Sequence, residues 1–221
     1  MKHNIHILIV DDHPMTLWGY ETLLKNLNTK YSFDMEGAKN CDEVLQKIKV
    51  HKRRFFDIVL LDINLPASSN GSIINGEDLG LRIQKKFQDT KIIVHTSLND
   101  QQRIANIFES LDPEGFIIKS DLEPRVLEDA INSVLNGHTY YSDRTNKLIN
   151  HSNGAKIFLD TSDQKILYYL SKGERMKNLP KYVPLAMATI ERRKKKLKML
   201  FGIPDSNDKE LLDEARAKGY I

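Results

Sequence analysis

Three carboxylates, one hydroxyl and one ammonium close successive apolar runs within the first 120 residues. Ile7-Leu8-Ile9-Val10 ends in Asp11-Asp12, Ile58-Val59-Leu60-Leu61 in Asp62, Ile92-Ile93-Val94-His95 in Thr96, and Phe116-Ile117-Ile118 in Lys119. Carboxylates gathered at one place disfavour each other's ionisation unless a cation sits among them. A small all-oxygen donor set suits Mg²⁺, which keeps several waters and pairs with a phosphate oxygen. An aspartate can also be the nucleophile of phosphoryl transfer, forming an acyl phosphate. That reaction asks mainly for positioning and positive charge. On this reading Asp62 is the acceptor, and Asp11 and Asp12 join it around one Mg²⁺. Lys119 adds positive charge, and Thr96 is placed to hydrogen-bond an acquired phosphoryl oxygen. Taken singly, each residue has a plainer role. Asp12 can be a helix N-cap, an Asp closing a strand is frequently a turn residue, and a Thr or Lys at a strand end is usually nothing more. Five such residues at the same end of successive strands make a site.

The elements that must hold these residues are legible around them. Short apolar runs bounded by polar residues and separated by helix-like stretches read as buried strands of a parallel sheet. A weaker fifth strand lies around Phe33 to Gly37. Helical spacing appears at Pro14 to Leu27 (Met15, Leu17, Trp18, Leu23, Leu24, Leu27), at 42–50, from Gly76 to Phe87, at 99–110 and at 122–136, where Gly137 is a natural stop. Five strands alternating with five helices imply right-handed crossovers and helices on both faces. In such a sheet the ligand sits outside the carboxyl ends of the strands, where the five residues gather.

Composition bounds the rest. At 221 residues, 40% hydrophobic, the chain is long enough for two modest domains with real cores. Its one cysteine, Cys41, excludes an internal disulfide framework and fits a reducing compartment. No apolar stretch reaches the roughly 18 residues needed to span a bilayer. Met1-Lys2-His3-Asn4 runs straight into a strand without a visible signal peptide, so a cytoplasmic protein with no membrane partner is expected. The net charge of +3 hides a split. Residues 1–150 carry 18 Lys+Arg against 21 Asp+Glu, and residues 151–221 carry 15 against 9. The second part is therefore the one suited to a polyanion.

The motifs of the first part, Ile9-Val10-Asp11-Asp12-His13-Pro14, Leu60-Leu61-Asp62-Ile63-Asn64-Leu65-Pro66, His95-Thr96-Ser97 and Gly115-Phe116-Ile117-Ile118-Lys119, resemble those of the receiver domains of two-component response regulators. The resemblance covers roughly residues 4–136 and implies a flavodoxin-like, doubly wound, five-stranded parallel sheet. It implies that a sensor histidine kinase phosphorylates Asp62, and that the backbone carbonyl of Asn64 joins Asp11, Asp12 and Asp62 around Mg²⁺. Thr96 and Phe116 would be the switch pair, and Lys119 would contact the phosphoryl group. Two departures stand out. The loop from Asn64 to Gly76 is about six residues longer than is typical of the family, and Ser120 follows Lys119 where a proline is common.

In the second part, six of the seven residues from Arg192 to Lys198 are basic. Such a run is often only a solvated helix face. Here it lies in an amphipathic helix, with Ile190, Leu197 and Phe201 on one side and Arg192 and Lys195 opposite. A helix anchored by one stripe and basic on the other suits a DNA major groove, and an acidic membrane surface is the weaker rival. Four helices are expected at 162–171, 174–182, 186–201 and 208–218, forming a small all-α domain. It resembles the helix-turn-helix output domain of NarL/LuxR/FixJ-class response regulators. That resemblance implies that Glu191, Arg192 and Lys195 meet base edges, with Thr189, Lys194 and Lys196 nearer the phosphates. It also implies that Leu211, Leu212 and Ala215 serve dimerisation, although packing on the domain's own core is an equal alternative. Pro180 departs from the pattern, because it removes a backbone donor and should end or bend the second of the four helices.

The expected organisation is thus a receiver at 1–137, a linker at 138–156 holding a short helix near Asp143 to Asn150, and a DNA-binding domain at 157–221. The expected partners are a histidine kinase, double-stranded promoter DNA and a second copy on phosphorylation. The chain would accept one phosphoryl group rather than turn over a substrate. Two rivals remain: a phosphorelay or protein-interaction regulator whose divergent C-terminal domain does not bind DNA, and a Mg²⁺-dependent phosphatase. Such phosphatases usually carry a second Asp two residues after the nucleophile, where this chain has Asn64.

Overall fold

A computed structural model describes residues 3–27, 29–51, 55–150 and 159–221. The chain divides into two compact units, residues 1–99 with 111–150, and residues 100–110 with 151–221. Of the expected linker at 138–156, residues 138–150 fall in the first unit and 151–156 lie outside the described residues. Among the described residues no helix is long and apolar enough to cross a membrane.

The first unit is built on a parallel sheet of six strands in the order β2-β1-β3-β4-β5-β6. These are β1 (His3–Val10), β2 (Tyr31–Ala38), β3 (Ile58–Leu61), β4 (Lys91–Thr96), β5 (Gly115–Ile118) and β6 (Tyr140–Tyr141). Five of them are the expected runs. The sixth is two residues long, far below the length at which a periodic signal emerges. Helices α1 (Pro14–Asn26), α2 (Cys41–Val50), α3 (Gly76–Lys86), α4 (Gln101–Leu111) and α5 (Pro124–Leu135) follow β1 to β5 in turn, and α6 (Asp143–Asn150) follows β6.

Alternation along the strands divides the core between the two faces. Ile7, Ile9, Ile58, Leu60, Ile93 and Ile117 pack with Leu17, Tyr20 and Leu24 of α1 and with Leu127, Ala130, Ile131 and Val134 of α5. On the other face, α3 passes so close to the sheet that a Cβ at Gly80 would meet Leu61 and Leu111. The inward stripe of α1 is narrower than its apolar content suggests, because Met15 and Trp18 are exposed. Helix starts follow local chemistry. Asn40 accepts from the Glu43 amide and Asn75 from the Asp78 amide, each filling one orphan donor of a first turn.

The long loop between β3 and α3 is fastened down. Ser68 is buried, its amide donates to the Ile73 carbonyl (2.9 Å) and its hydroxyl accepts from the Ile73 amide (3.0 Å). Ser69 donates twice to Asp42 in the first turn of α2, and the buried Cys41 thiol, pushed up to about 12 by burial, donates to the Pro66 carbonyl.

Besides residues 100–110, which include most of α4, the second unit holds α7 (Thr161–Ser171), α8 (Met187–Leu200) and α9 (Asp208–Ala217), the last three around Leu159, Ile166, Leu167, Leu179, Val183, Ile190 and Leu197. Where the sequence suggests a fourth α-helix over 174–182, the chain makes a 3₁₀ helix from Met176 to Lys181 with Pro180 inside it. Proline has no amide to give and its ring blocks the preceding turn, so the segment shortens as expected. Asp160 caps α7 by accepting from the Asp163 amide.

Candidate acid pocket and basic helix

Sheet register alone brings the first site together. Val10 pairs with Leu61 and Leu61 with Val94, so Asp11 and Asp62 leave the sheet side by side next to His95. Thr96 pairs with Ile118, which puts Lys119 one residue beyond. The Lys119 ammonium lies 2.6 Å from Asp11 Oδ2 and 2.6 Å from Asp62 Oδ2. Asp62 Oδ1 accepts from the Asn64 amide at 3.0 Å, and Asp11 Oδ1 accepts from the His13 amide at 2.9 Å. His13 Nδ1 sits 2.7 Å from Asp12 Oδ1.

Asp11 and Asp62 are buried, while Asp12 keeps contact with solvent. Burial pushes the Asp11 carboxyl up, but its bonds to the Lys119 ammonium and the His13 amide outweigh this and hold it below the usual range. Burial likewise pulls the Lys119 ammonium down, and the two carboxylates more than reverse it. One ammonium thus serves two buried anions and a third nearby. Potential ligand atoms of Asp11, Asp12, His13 and Asp62 all lie within 4.8 Å of one another. A compact carboxylate-rich cluster with a deficit of positive charge fits a hard divalent cation.

Thr96 and Phe116 are fully buried. The Thr96 hydroxyl accepts from the Leu98 amide at 3.2 Å. Sequence reasoning passed over His95 as a member of the pocket. It is completely buried, edge-on to the Tyr20 ring at 4.8 Å, with Nδ1 3.7 Å from Asp11 Oδ2. Burial brings its pKa down to about 4, so the ring is neutral and adds no positive charge at neutral pH. The available signal was a polar residue at the end of an otherwise apolar run.

The second site is the outer face of α8. Ile190 and Leu197 are buried, and Glu191, Arg192, Lys195 and Lys196 are exposed, with Thr189 half-buried. Three of the basic residues are tied inward, among them Lys198, whose ammonium lies 3.7 Å from Asp208 Oδ1. Arg193 reaches Asp160 and Asp163, both at 2.8 Å, and Lys194 reaches both oxygens of Asp208 at 2.9 and 3.0 Å. Burial raises the Asp163 carboxyl pKa despite the Arg193 guanidinium beside it. Lys194, expected near DNA phosphates, is paired with Asp208. Its ammonium is held by α9, a partner 14 residues away that periodicity does not reveal. Arg192, Lys195 and Lys196 have no ion pair among the described residues.

For the residues named for dimerisation the structure shows the alternative weighed beside it, packing on the domain's own core. Leu211 and Ala215 are fully buried in the core of the second unit, and Leu212 is partly buried against it. They stand at helical spacing because they anchor α9, which leaves Leu211 and Ala215 no surface to offer a second copy.

The profile of the response regulator receiver domain matches residues 7–132. The chain is similar to oxygen regulatory protein NreC of Staphylococcus epidermidis, at 25% identity over 204 residues covering 85% of this chain and 87% of the relative. It is also similar to transcriptional regulatory protein RcsB of Salmonella typhi, at 24% identity over 215 residues covering 96% and 94%. Among solved structures, RcsB of Salmonella enterica serovar Typhimurium, bound to promoter rprA in the presence of the phosphomimetic BeF3−, is similar with a TM-score of 0.70. That likeness has 22% identity, covers 97% of this chain and 100% of the other, and speaks to the fold.

Proposed function

The chain belongs to the response regulator receiver family, and we propose that it is a two-component response regulator in which a sensor histidine kinase phosphorylates Asp62 and the C-terminal domain binds promoter DNA. The observation that carries the first half is the Lys119 ammonium held 2.6 Å from both Asp11 and Asp62 at the carboxyl edge of the sheet.

A carboxylate oxygen of Asp62 attacks the phosphorus of the kinase's phosphohistidine. The O–P bond forms, the P–N bond breaks, and the imidazole leaves with the electron pair and takes up a proton. The product is an acyl phosphate. Asp11, Asp12 and Asp62, with the Asn64 carbonyl, would hold one Mg²⁺, which when bound offsets charge on the phosphoryl oxygens. Lys119 turns from Asp62 to a phosphoryl oxygen. The Thr96 hydroxyl leaves the Leu98 amide for the same group, and the Phe116 ring follows into the space it vacates. The modification shifts a pre-existing equilibrium toward the active form. The chain accepts a phosphoryl group once per cycle, and hydrolysis of the acyl phosphate resets it.

In the output half, Glu191, Arg192 and Lys195 face base edges, and Thr189 and Lys196 approach the phosphates. Phosphate contacts by Lys and Arg dominate affinity and make it salt-dependent. The protein acts in the cytoplasm, as a dimer on paired half-sites. RcsB, seen bound to promoter DNA, supports this assignment as a relative of the same two-domain fold.

Incubation with a small phosphodonor and Mg²⁺ is expected to add one phosphoryl group by intact mass, and Asp62→Asn is expected to abolish it. An equal adduct on Asp62→Asn overturns the proposal. The DNA half is tested by duplex binding across a salt series. One observation favours a second reading, a regulator that contacts protein instead of DNA: the 3₁₀ segment around Pro180 replaces the expected scaffold helix. Salt-insensitive or absent binding to every promoter duplex tried would select it.

A further inference from the structure

The residues that carry Lys119 are held by a part of the chain that takes no part in the chemistry above. Lys119–Asp121 is a single 3₁₀ turn of three residues. Its first residue reaches into the pocket, and its other two are bonded to the segment that follows α5. Strand β6 adds to the sheet next to β5, with the Ser142 amide donating to the Phe116 carbonyl at 3.0 Å. The Ser142 hydroxyl then donates to Asp121 Oδ2 at 2.7 Å. At the start of α6, the Arg144 amide also approaches Asp121 Oδ2 (3.3 Å), and the Arg144 guanidinium donates to the Ser120 hydroxyl (3.2 Å).

Two buried hydroxyls fix the direction of this network. Ser142 and Thr145 are essentially without solvent exposure and lie 3.0 Å apart. A serine hydroxyl has one proton, and a carboxylate is the stronger acceptor, so that proton goes to Asp121. Thr145, whose hydroxyl also faces the Phe116 carbonyl at 3.4 Å, then gives its proton to the nearer Ser142, which also faces the Ile118 amide at 3.5 Å. The result is a chain of bonds from α6 through Ser142 to the turn that ends in Lys119. Covering the edge of β5 would need only the strand pairing. It would not need a buried hydroxyl pair aimed at a carboxylate two residues from Lys119. Ser120 adds to the case, because a proline there would fix the turn's φ by itself and serine does not.

We propose that Ser142, Thr145 and Asp121 are positioning residues for the phosphoacceptor pocket: through the 119–121 turn, the segment leaving α5 sets where the Lys119 ammonium stands. The proposal rests on the assignment of Asp62 as phosphoacceptor. It makes the start of the link to the C-terminal half a direct mechanical neighbour of the group that must move on phosphorylation.

The test compares wild type, Ser142→Ala, Thr145→Val and Asp121→Asn in the full chain, by phosphorylation rate and by amine-reactive labelling of Lys119 read on its peptide. Ser142→Ala is expected to slow phosphoryl uptake by about tenfold, since small displacements of a charge-stabilising group cost one to two orders of magnitude. It is expected to raise Lys119 labelling relative to the other lysines. In a Lys119→Ala background the same substitution should change the rate no further, an outcome that a general loss of packing would not produce. Thr145→Val keeps the buried shape and should give a smaller effect of the same sign. Additive effects of Ser142→Ala and Lys119→Ala, or unchanged rate and labelling in all three strap variants, overturn the proposal. Wild type that takes no phosphoryl group would refute the Asp62 reading instead. The labelling result would then still decide whether the strap sets Lys119.

Discussion

Lys119 and Lys194 each bring an ammonium to two carboxylate oxygens, and the two regions around them are opposite in kind. Lys119 is shared between two separate buried aspartates, with Asp12 and its neighbour His13 close by. Lys194 satisfies both oxygens of a single, half-exposed Asp208. The pocket is left short of positive charge and the basic helix is left with an excess, at Arg192, Lys195 and Lys196. Each imbalance points at what the region takes up, a cation and a phosphoryl group in one case and a polyanion in the other. Ion pairs that close on themselves, such as Arg193 with Asp160 and Asp163, hold the scaffold instead.

The largest break in this contrast is Lys119→Ala. It leaves Asp11 and Asp62 buried together without their shared ammonium, a change expected to cost about 3–5 kcal/mol. The loss should shrink when millimolar Mg²⁺ is added to the thermal melt, whereas Mg²⁺ should not rescue any variant of the basic helix. Gly76→Ala comes next. A Cβ there would stand 1.9 Å from the Asp62 carbonyl oxygen. Overpacking of that kind costs about 1–3 kcal/mol or more, and denaturant midpoints with phosphoryl uptake would report it.

Arg193→Gln sharpens the other side. It removes a cation from the largely buried Asp163, with an expected loss of about 2 kcal/mol. The Asp163 pKa, already raised in the fold, would rise further. A carboxyl that holds its proton more tightly when folded loses stability as pH climbs from its unfolded value, 3.8, through its folded one. The variant's deficit should therefore be larger at pH 7 than at pH 4 in paired urea melts. Smallest in stability and largest in binding are Arg192→Ala and Lys195→Ala. Each should leave the melt unchanged, weaken duplex binding by about tenfold at a base-edge contact and more weakly elsewhere. Lys194→Ala should show the reverse pattern.

The pocket was readable in advance because parallel strands put their carboxyl ends in one place, and residues that end apolar runs inherit that address. Asp11, Asp62 and Lys119 each lie one residue past a paired position and Thr96 is itself paired with Ile118, so register alone nearly places them. Features fixed by contacts distant in sequence were not readable. Asp208 claims Lys194 from another helix, and Ser142 reaches Asp121 across 21 residues. Strand β6 exists through its pairing with β5 rather than through any pattern in Tyr140-Tyr141. Leu211 and Ala215 show the limit of periodicity from the other direction, because a stripe announces that a helix face is covered and not by what. Pro180 was the exception, a local cause with a local result.

The contact at Gly76 separates what can vary in the loop before it from what cannot. That loop leaves the sheet at Asp62 and must return to a point where the backbone itself touches the Asp62 carbonyl, with the Gly76 amide bonded to Ile63. Departure and re-entry are pinned within one residue's width, while the span between them hangs on α2 through Ser69 and Cys41. Within that span Ser68, Ile73 and Ile74 are buried while Ser69, Asn70 and Ser72 are exposed, so a change of length is tolerated best at this tip. That exposed tip is where the chain can change its surface beside a fixed carboxyl edge of the sheet.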